Sequence, residues 1–251
     1  MAVTTHGTTD NGARTGTARE DDAMRKVARR AGWLYLATFV FSLPTLAMKA
    51  PLTKHADFVL GAGASTGVVW AALFDVITAL TGIATAVVLY PVVKRRSETA
   101  ALGFVTTRVI EASMLFVGAL SILSVVTVRQ DLGVGAAGTD KPSLLIAGHT
   151  LVALHKWTFL LGPGLMAGLN AVCLGYVMYR SGLVPRIIPI LGLVGAPLII
   201  GSAVAVMLGA YDQVSGWSAL ATIPDFFWEL SLGLWLAFKG FNPSAVAALK
   251  A

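Results

Sequence analysis

Long runs of apolar residues are the feature that most constrains how this chain folds. A helix needs about 20 apolar residues to cross roughly 30 Å of hydrocarbon, and several such runs follow one another between Ala31 and Phe238. Charged residues make up 13% of the chain and the mean hydropathy is +0.75, whereas about 25% of a soluble domain is charged. These values exclude an ordinary soluble enzyme and predict an integral membrane protein.

Six of the runs are long enough to span a membrane, so the predicted fold is an all-α, polytopic membrane helix bundle. The predicted spans are about 31–48, 67–93, 100–128, 157–179, 187–208 and 219–238. They form one domain over residues 25–242, between a disordered tail over 1–24 and a short tail over 243–251. The first run also fits a signal peptide, but its length of about 18 apolar residues favours an uncleaved helix.

The distribution of Lys and Arg predicts the orientation of the bundle. Thirteen of the 19 Lys and Arg residues lie in the two tails and in the second and fourth links between spans, and five lie on the other side. Because cytoplasmic segments carry an excess of Lys and Arg, both tails are predicted to be cytoplasmic, in a multi-pass protein of the cell's inner membrane. The net charge of +6 thus reports topology, and nucleic acid is not an expected partner.

Local signals predict where two of the helices begin or bend. Ser97 precedes the third span and is expected to cap the free amides of that helix. Pro163, between Gly162 and Gly164, predicts a kink or break in the fourth span. The segment 144–155 before it is either an external surface helix or an extension of the fourth span.

Ionisable side chains inside the apolar runs are the candidates for function, because each costs about 2.5 to 3.5 kcal/mol at the centre of a membrane helix. Arg108 and Glu111 lie three residues apart and are expected to pair on one helix face. Alternatively, Arg108 anchors an anionic ligand or a carboxylate on another helix. Asp75 and Glu229 lie deep in the second and sixth spans with no obvious cation nearby.

The spans contain one Arg and four carboxylates, which are Asp75, Glu111, Asp225 and Glu229. They leave an excess of negative charge if all of them ionise. A proton, a metal ion or a cationic solute is then expected to neutralise the excess. The structural alternative is a neutral carboxyl group that is hydrogen-bonded between helices, for example to Asn170 in the fourth span.

The remaining polar residues give weaker signals. Asp225 follows Thr222 at the spacing of a capping box, so it is expected in the first turn of the sixth helix. His149 and His155 are six residues apart and are expected at the surface or the membrane interface. No His, Cys, Asp and Glu residues show the spacing of metal ligands. The sequence assigns neither a catalytic residue nor a cofactor.

Three functional hypotheses follow. The first is a membrane protein that handles a small solute or a cation through a buried carboxylate track. The second is an intramembrane enzyme with an outward-facing site near the predicted break, and the third is a non-catalytic partner or scaffold protein. The lipid bilayer is an expected partner, and the sequence leaves room for a homo-oligomer and for a small-molecule or cationic ligand. The candidate ligand or ion residues are Asp75, Glu111, Glu229, Arg108 and Asn170.

Four segments carry a family resemblance. They are 29–35 (RRAGWLY), 108–112 (RVIEA), 174–186 (LGYVMYRSGLVPR) and 229–240 (ELSLGLWLAFKG). With them, most of residues 25–242 resembles a family of bacterial integral membrane proteins that is catalogued only as a domain of unknown function, family 4386. The resemblance implies a multi-helix membrane protein and no particular activity, so it assigns no catalytic residue.

Overall fold

The computed structural model describes residues 8–54, 58–61, 65–135 and 141–249, and these residues form helices and no strand. In chain order the helices are α1 (Thr8–Met48), α2 (Ala50–Lys54), α3 (Thr66–Val93), α4 (Glu98–Gly135), α5 (Lys141–Phe159), a π-helix (Leu160–Met166), α6 (Ala167–Ser181), α7 (Ile187–Met207), α8 (Gly216–Phe238) and α9 (Pro243–Ala248). The predicted all-α fold is confirmed.

Five helical segments are long and apolar enough to cross a membrane. They are Asp22–Met48, Thr66–Val93, Glu98–Asp131, Lys141–Ser181 and Ile187–Met207. The sixth predicted span corresponds to α8, which is as long as α7 but carries Asp225 and Glu229 within its apolar stretch. These two acids lower the hydropathy of α8, and the count of six spans stays a prediction.

A single long helical segment contains the position of the predicted kink or break, and the helix is not broken there. The helices α5 and α6 and the π-helix between them are continuous from Lys141 to Ser181. The segment 144–155 is therefore an extension of the fourth span. The π-helix contains Pro163, which has no amide hydrogen for an α-helical bond, so the backbone widens there. Gly162 packs closely on α4, since a Cβ atom at this position would lie 2.7 Å from the Cβ of Met114.

Helical structure extends into both predicted tails. The helix α1 begins at Thr8, inside the region 1–24 for which the sequence predicts disorder, and residues 1–7 lie outside the described residues. Four Ala residues favour helix in this region, although it also contains six Thr and three Gly residues, which favour helix less. The predicted tail 243–251 contains α9, which buries two of its side chains against the bundle.

The long helices pack side by side in a closed ring. The contacts run from α1 to α3, from α3 to α4, from α4 to α5 and α6, from α6 to α7, from α7 to α8, and from α8 back to α1. The helices α4 and α8 therefore face each other across the interior of the ring. Side chains that point inward from α4 and α8 can meet, although these two helices are not neighbours in the ring.

Short links at one end of the ring agree with the local signals in the sequence. The amide of Ala100 donates to the Ser97 hydroxyl at 3.3 Å, which confirms the predicted cap of α4. Gly182 ends α6 in the left-handed conformation, with φ +67°, and allows the turn into α7. The links and the adjoining last turn of α6 at this end contain Lys94, Arg95, Arg96, Arg180 and Arg186, and we call it the basic end.

Glycine residues bring α8 close to both of its neighbours. A Cβ atom at Gly192 of α7 would lie 2.6 Å from the ring of Trp228, and one at Gly32 of α1 would lie 2.2 Å from the backbone nitrogen of Ala237. Small residues at helix contacts are typical of membrane bundles, because they let two backbones approach. The position of α8 in the ring depends on these contacts.

We expect Gly32→Ala to destabilise the protein, because the added methyl group collides with the backbone of α8. Overpacking of this kind costs about 1 to 3 kcal/mol, so the thermal midpoint of the purified protein in detergent should fall. Gly82→Ala is the matched control, because Gly82 is also a buried helical glycine but an added Cβ meets no atom within 4 Å. Equal midpoints for the two variants would contradict the close α1–α8 contact.

Candidate functional site

Polar side chains from several helices lie at the same depth in the ring. At a rise of 1.5 Å per residue, Arg108 lies about 15 Å from the start of α4, Glu229 about 14 Å from the end of α8, and Asn170 about 16 Å from the end of α6. These three helix ends are all on the side of the basic end. The side chains therefore meet near the middle of a hydrocarbon layer of roughly 30 Å. The Arg108 cluster, as we name it, consists of Tyr35, Arg108, Glu111, Asn170, Asp225 and Glu229.

The guanidinium group of Arg108 binds two carboxylates. Its Nη1 donates to Oε2 of Glu111 at 3.0 Å, and its Nη2 donates to Oε1 of Glu229 on α8. The rings of Tyr35 and Phe104 lie 5.5 and 5.8 Å from the guanidinium carbon, within the range of cation–π contact. Arg108 thus pairs within its own helix and also holds a carboxylate of another helix.

Asn170 connects α6 to α4 at the same level. Its Nδ2 donates to Oε2 of Glu111 at 2.6 Å, and its Oδ1 accepts from the hydroxyl of Thr107. The side chain is almost fully buried, at 2% exposure. Asn170 is therefore the hydrogen-bond partner of a buried carboxyl group, but this group belongs to Glu111 and not to Asp75 or Glu229.

The prediction that Asp225 caps the sixth helix is wrong. The helix α8 begins at Gly216, and its N-cap residue is Ser215, whose hydroxyl accepts from the amide of Ser218 at 3.2 Å. The hydroxyl of Thr222 donates back to the carbonyl of Ser218 at 2.8 Å, so it is not available as a cap. Asp225 lies nine residues after Gly216, about two and a half turns into the helix, where it is buried.

Asp225 adds an unpaired carboxylate to the Arg108 cluster. It lies one turn before Glu229 on α8 and interacts electrostatically with Arg108, Glu111 and Glu229. Its side chain is 5% exposed, and its Oδ1 has no hydrogen-bond partner in the described part of the chain. The Nε of Arg108 is likewise buried without a partner there. The cluster thus holds one cation and three carboxyl groups, and a buried donor and a buried acceptor remain free.

Asp75 lies in a separate ion pair. The Nζ of Lys49 is 2.6 Å from Oδ2 of Asp75, and the two side chains are only 6% and 5% exposed. The same ammonium group lies 5.7 Å from the ring centre of Phe159. Asp75 is about 27 Å from the end of α3 at the basic end, so this pair lies about 12 Å beyond Arg108 along the bundle.

Two expectations about Asp75 are corrected by this pair. Asp75 does have a cation nearby, because Lys49 lies between α1 and α2 and its long side chain reaches α3. The proposed carboxylate track is also divided. Glu111 and Glu229 share Arg108, whereas within the described residues no hydrogen bond or ion pair joins Asp75 to either of them.

His155 borders the Lys49–Asp75 pair and is buried, at 6% exposure, whereas His149 is exposed. The surface prediction is therefore wrong for His155, because the continuous helical segment turns this residue toward Gly118 of α4 and Phe159. Among the described residues, no group of three or more His, Cys, Asp and Glu side chains is placed to hold a metal ion.

Sequence analysis misses Lys49 of the Lys49–Asp75 pair and Tyr35 of the Arg108 cluster, for different reasons. Lys49 stands at the end of an apolar run, where a Lys ordinarily marks the membrane boundary. Tyr35 has no sequence signal that separates it from an interfacial aromatic residue. Its side chain is buried at 1% exposure, and its hydroxyl lies 3.5 Å from Nη2 of Arg108.

These observations define a class of protein. A helical chain with five membrane-length apolar segments and charged residues buried between them is an integral membrane protein. The chain belongs to the family described as Domain of unknown function (DUF4386), whose family model matches residues 30–240. The matched region contains both the Arg108 cluster and the Lys49–Asp75 pair. No curated protein and no solved structure gives a significant match to the chain.

We expect Lys49→Met to lower the thermal midpoint strongly, because it leaves Asp75 as an unpaired buried charge. Breaking one half of a buried ion pair costs about 3 to 5 kcal/mol. The double variant Lys49→Met/Asp75→Asn removes both charges and should regain most of the loss. A double variant as unstable as the single one would show that Lys49 contributes by packing and not by pairing with Asp75.

Proposed function

We propose that this protein is a membrane transport protein that binds a proton or a small cation at the Arg108 cluster. The observation that carries the proposal is the buried Oδ1 of Asp225, which has no partner among the described residues. Arg108 already binds Glu111 and Glu229. If Asp225 ionises as well, one cation faces three carboxylates, and the cluster needs further positive charge to offset a net charge of −2.

The excess of carboxyl groups occurs at the Arg108 cluster and not at the Lys49–Asp75 pair. Lys49 and Asp75 neutralise each other, whereas three carboxyl groups surround Arg108. An unpaired ionised carboxylate in a medium of low dielectric constant costs several kcal/mol, so a proton or a bound cation is the stable solution. Taking up and releasing that charge is the elementary step of proton- or cation-coupled transport.

Access to the cluster differs between its members. Asp225 is closed off, but the side chain of Glu229 retains 20% exposure and that of Glu111 retains 12%. Glu229 and Asp225 are one helical turn apart, so Glu229 is the more exposed neighbour through which a proton or cation would approach Asp225. The Lys49–Asp75 pair, with His155 and Phe159 beside it, is buried on the side away from the basic end.

The scaffold hypothesis is the second candidate, and one observation favours it. The hydrogen bonds of Arg108 and Asn170 connect α4 to α6 and α8, as expected for polar residues that hold membrane helices together. In that case neutral substitutions in the cluster change stability and no transport signal. The two functions are therefore separable by experiment.

The test uses the purified full chain in liposomes that contain a trapped pH indicator. A potassium gradient with valinomycin imposes a membrane potential, and proton uptake is recorded with sodium or choline as the other cation. We expect more proton uptake than in empty liposomes. A cation that competes with the proton for the cluster should lower this uptake. Asp225→Asn should reduce the signal about tenfold or more, because the residue that carries the extra charge is lost.

Glu98→Gln is the matched control, because Glu98 is an exposed carboxylate at the start of α4, away from the cluster. It should keep the wild-type signal. The transport proposal fails if the wild type gives no proton or cation signal above empty liposomes, or if Asp225→Asn transports as well as the wild type. A lower thermal midpoint for Asp225→Asn without any effect on flux would favour the scaffold function.

A further inference from the structure

A surface groove at the basic end of the bundle is separate from the Arg108 cluster and has a different chemistry, although its residue Leu34 is next in sequence to Tyr35 of that cluster. It has a volume of about 500 Å³ and is lined by Lys26, Arg29, Arg30, Trp33, Leu34 and Val88. The first five residues belong to α1 and Val88 belongs to α3, so the groove follows the seam between these two helices. Its volume is in the range of small-molecule binding sites, which is about 300 to 1,000 Å³.

The polar part of the groove is positively charged. Lys26, Arg29 and Arg30 line it, and no acidic residue does. Arg29 and Arg30 are exposed, and they form no ion pair with the side chains that the structure describes. Lys26 pairs with Asp22 at 2.6 Å, but both side chains are more than 60% exposed, so water screens this pair. The groove therefore offers two free guanidinium groups and a weakly held ammonium group.

The remaining part of the groove is apolar. Leu34 and Val88 are half-buried and form its wall, one turn or more deeper in the bundle than the cations. Trp33 stands between the two parts with half of its side chain exposed, and its ring packs edge-on against Phe238 at 5.6 Å. An exposed Trp between basic and apolar surface is typical of the membrane–water interface.

We propose that this groove is a binding site for an anionic glycerophospholipid. Arg29 and Arg30 bind the headgroup phosphate, because the planar guanidinium group matches the geometry of phosphate oxygens. Trp33 lies at the level of the glycerol backbone, and one acyl chain follows the wall formed by Leu34 and Val88. A free phosphate ion would use the cations alone, whereas the adjacent apolar wall suits the lipid.

The experiment compares phosphatidylglycerol with phosphatidylcholine on the purified full chain in a non-ionic detergent. Native mass spectrometry counts the lipids that remain bound after the protein is mixed with equal amounts of the two. We expect the wild type to retain phosphatidylglycerol preferentially. Arg29→Gln/Arg30→Gln should reduce this preference by about twenty-fivefold, since each cation beside an anionic headgroup contributes about fivefold.

Arg95→Gln/Arg96→Gln is the control, because it removes the same charge from the same end of the bundle but leaves the groove intact. It should change the preference by less than about twofold. An equal fall in both double variants, or in neither, would overturn the proposal. Displacement of phosphatidylglycerol by millimolar inorganic phosphate would also overturn it, because the site would then bind a soluble anion. The thermal midpoints of both variants verify that they are folded.

Discussion

The bonds of Arg108 to Glu111 and Glu229 are the interaction on which the interior of this bundle depends. Hydrocarbon provides no water for a guanidinium group, so the charge must be met by protein groups at the same depth. One carboxylate comes from the same helix, and the other comes from α8 on the opposite side of the ring. This requirement determines which faces of α4 and α8 turn inward, and Asn170 extends the same network to α6.

The Lys49–Asp75 pair and the Arg108 cluster differ in net charge as well as in depth along the bundle. Lys49 and Asp75 form a neutral pair that joins the end of α1 to α3. The Arg108 cluster, about 12 Å away along the bundle, keeps an excess of carboxyl groups. A balanced pair is sufficient to hold helices, whereas an unbalanced cluster in a buried position calls for an exchangeable positive charge. The functional proposal follows from this difference.

Features that depend on local sequence could be predicted, and those that depend on packing could not. The apolar runs, the cap at Ser97 and the irregular helix at Pro163 all arise from residues within a few positions of one another. The partner of Asp75 could not be identified, because Lys49 is far away in sequence and is positioned by the contact between α1 and α3. Asp225 was misplaced because a capping pattern also occurs inside helices, where the hydroxyl bonds to its own backbone.

The central claim is that Arg108 and Glu229 are a buried pair between opposite helices, and a double-mutant cycle tests it most directly. The free energy of unfolding in detergent is measured for the wild type, Arg108→Gln, Glu229→Gln and the double variant. We predict a coupling free energy of at least about 1.5 kcal/mol, as found for close buried charge pairs. Effects that add within about 0.5 kcal/mol would contradict the pairing, and with it the assembly of the Arg108 cluster.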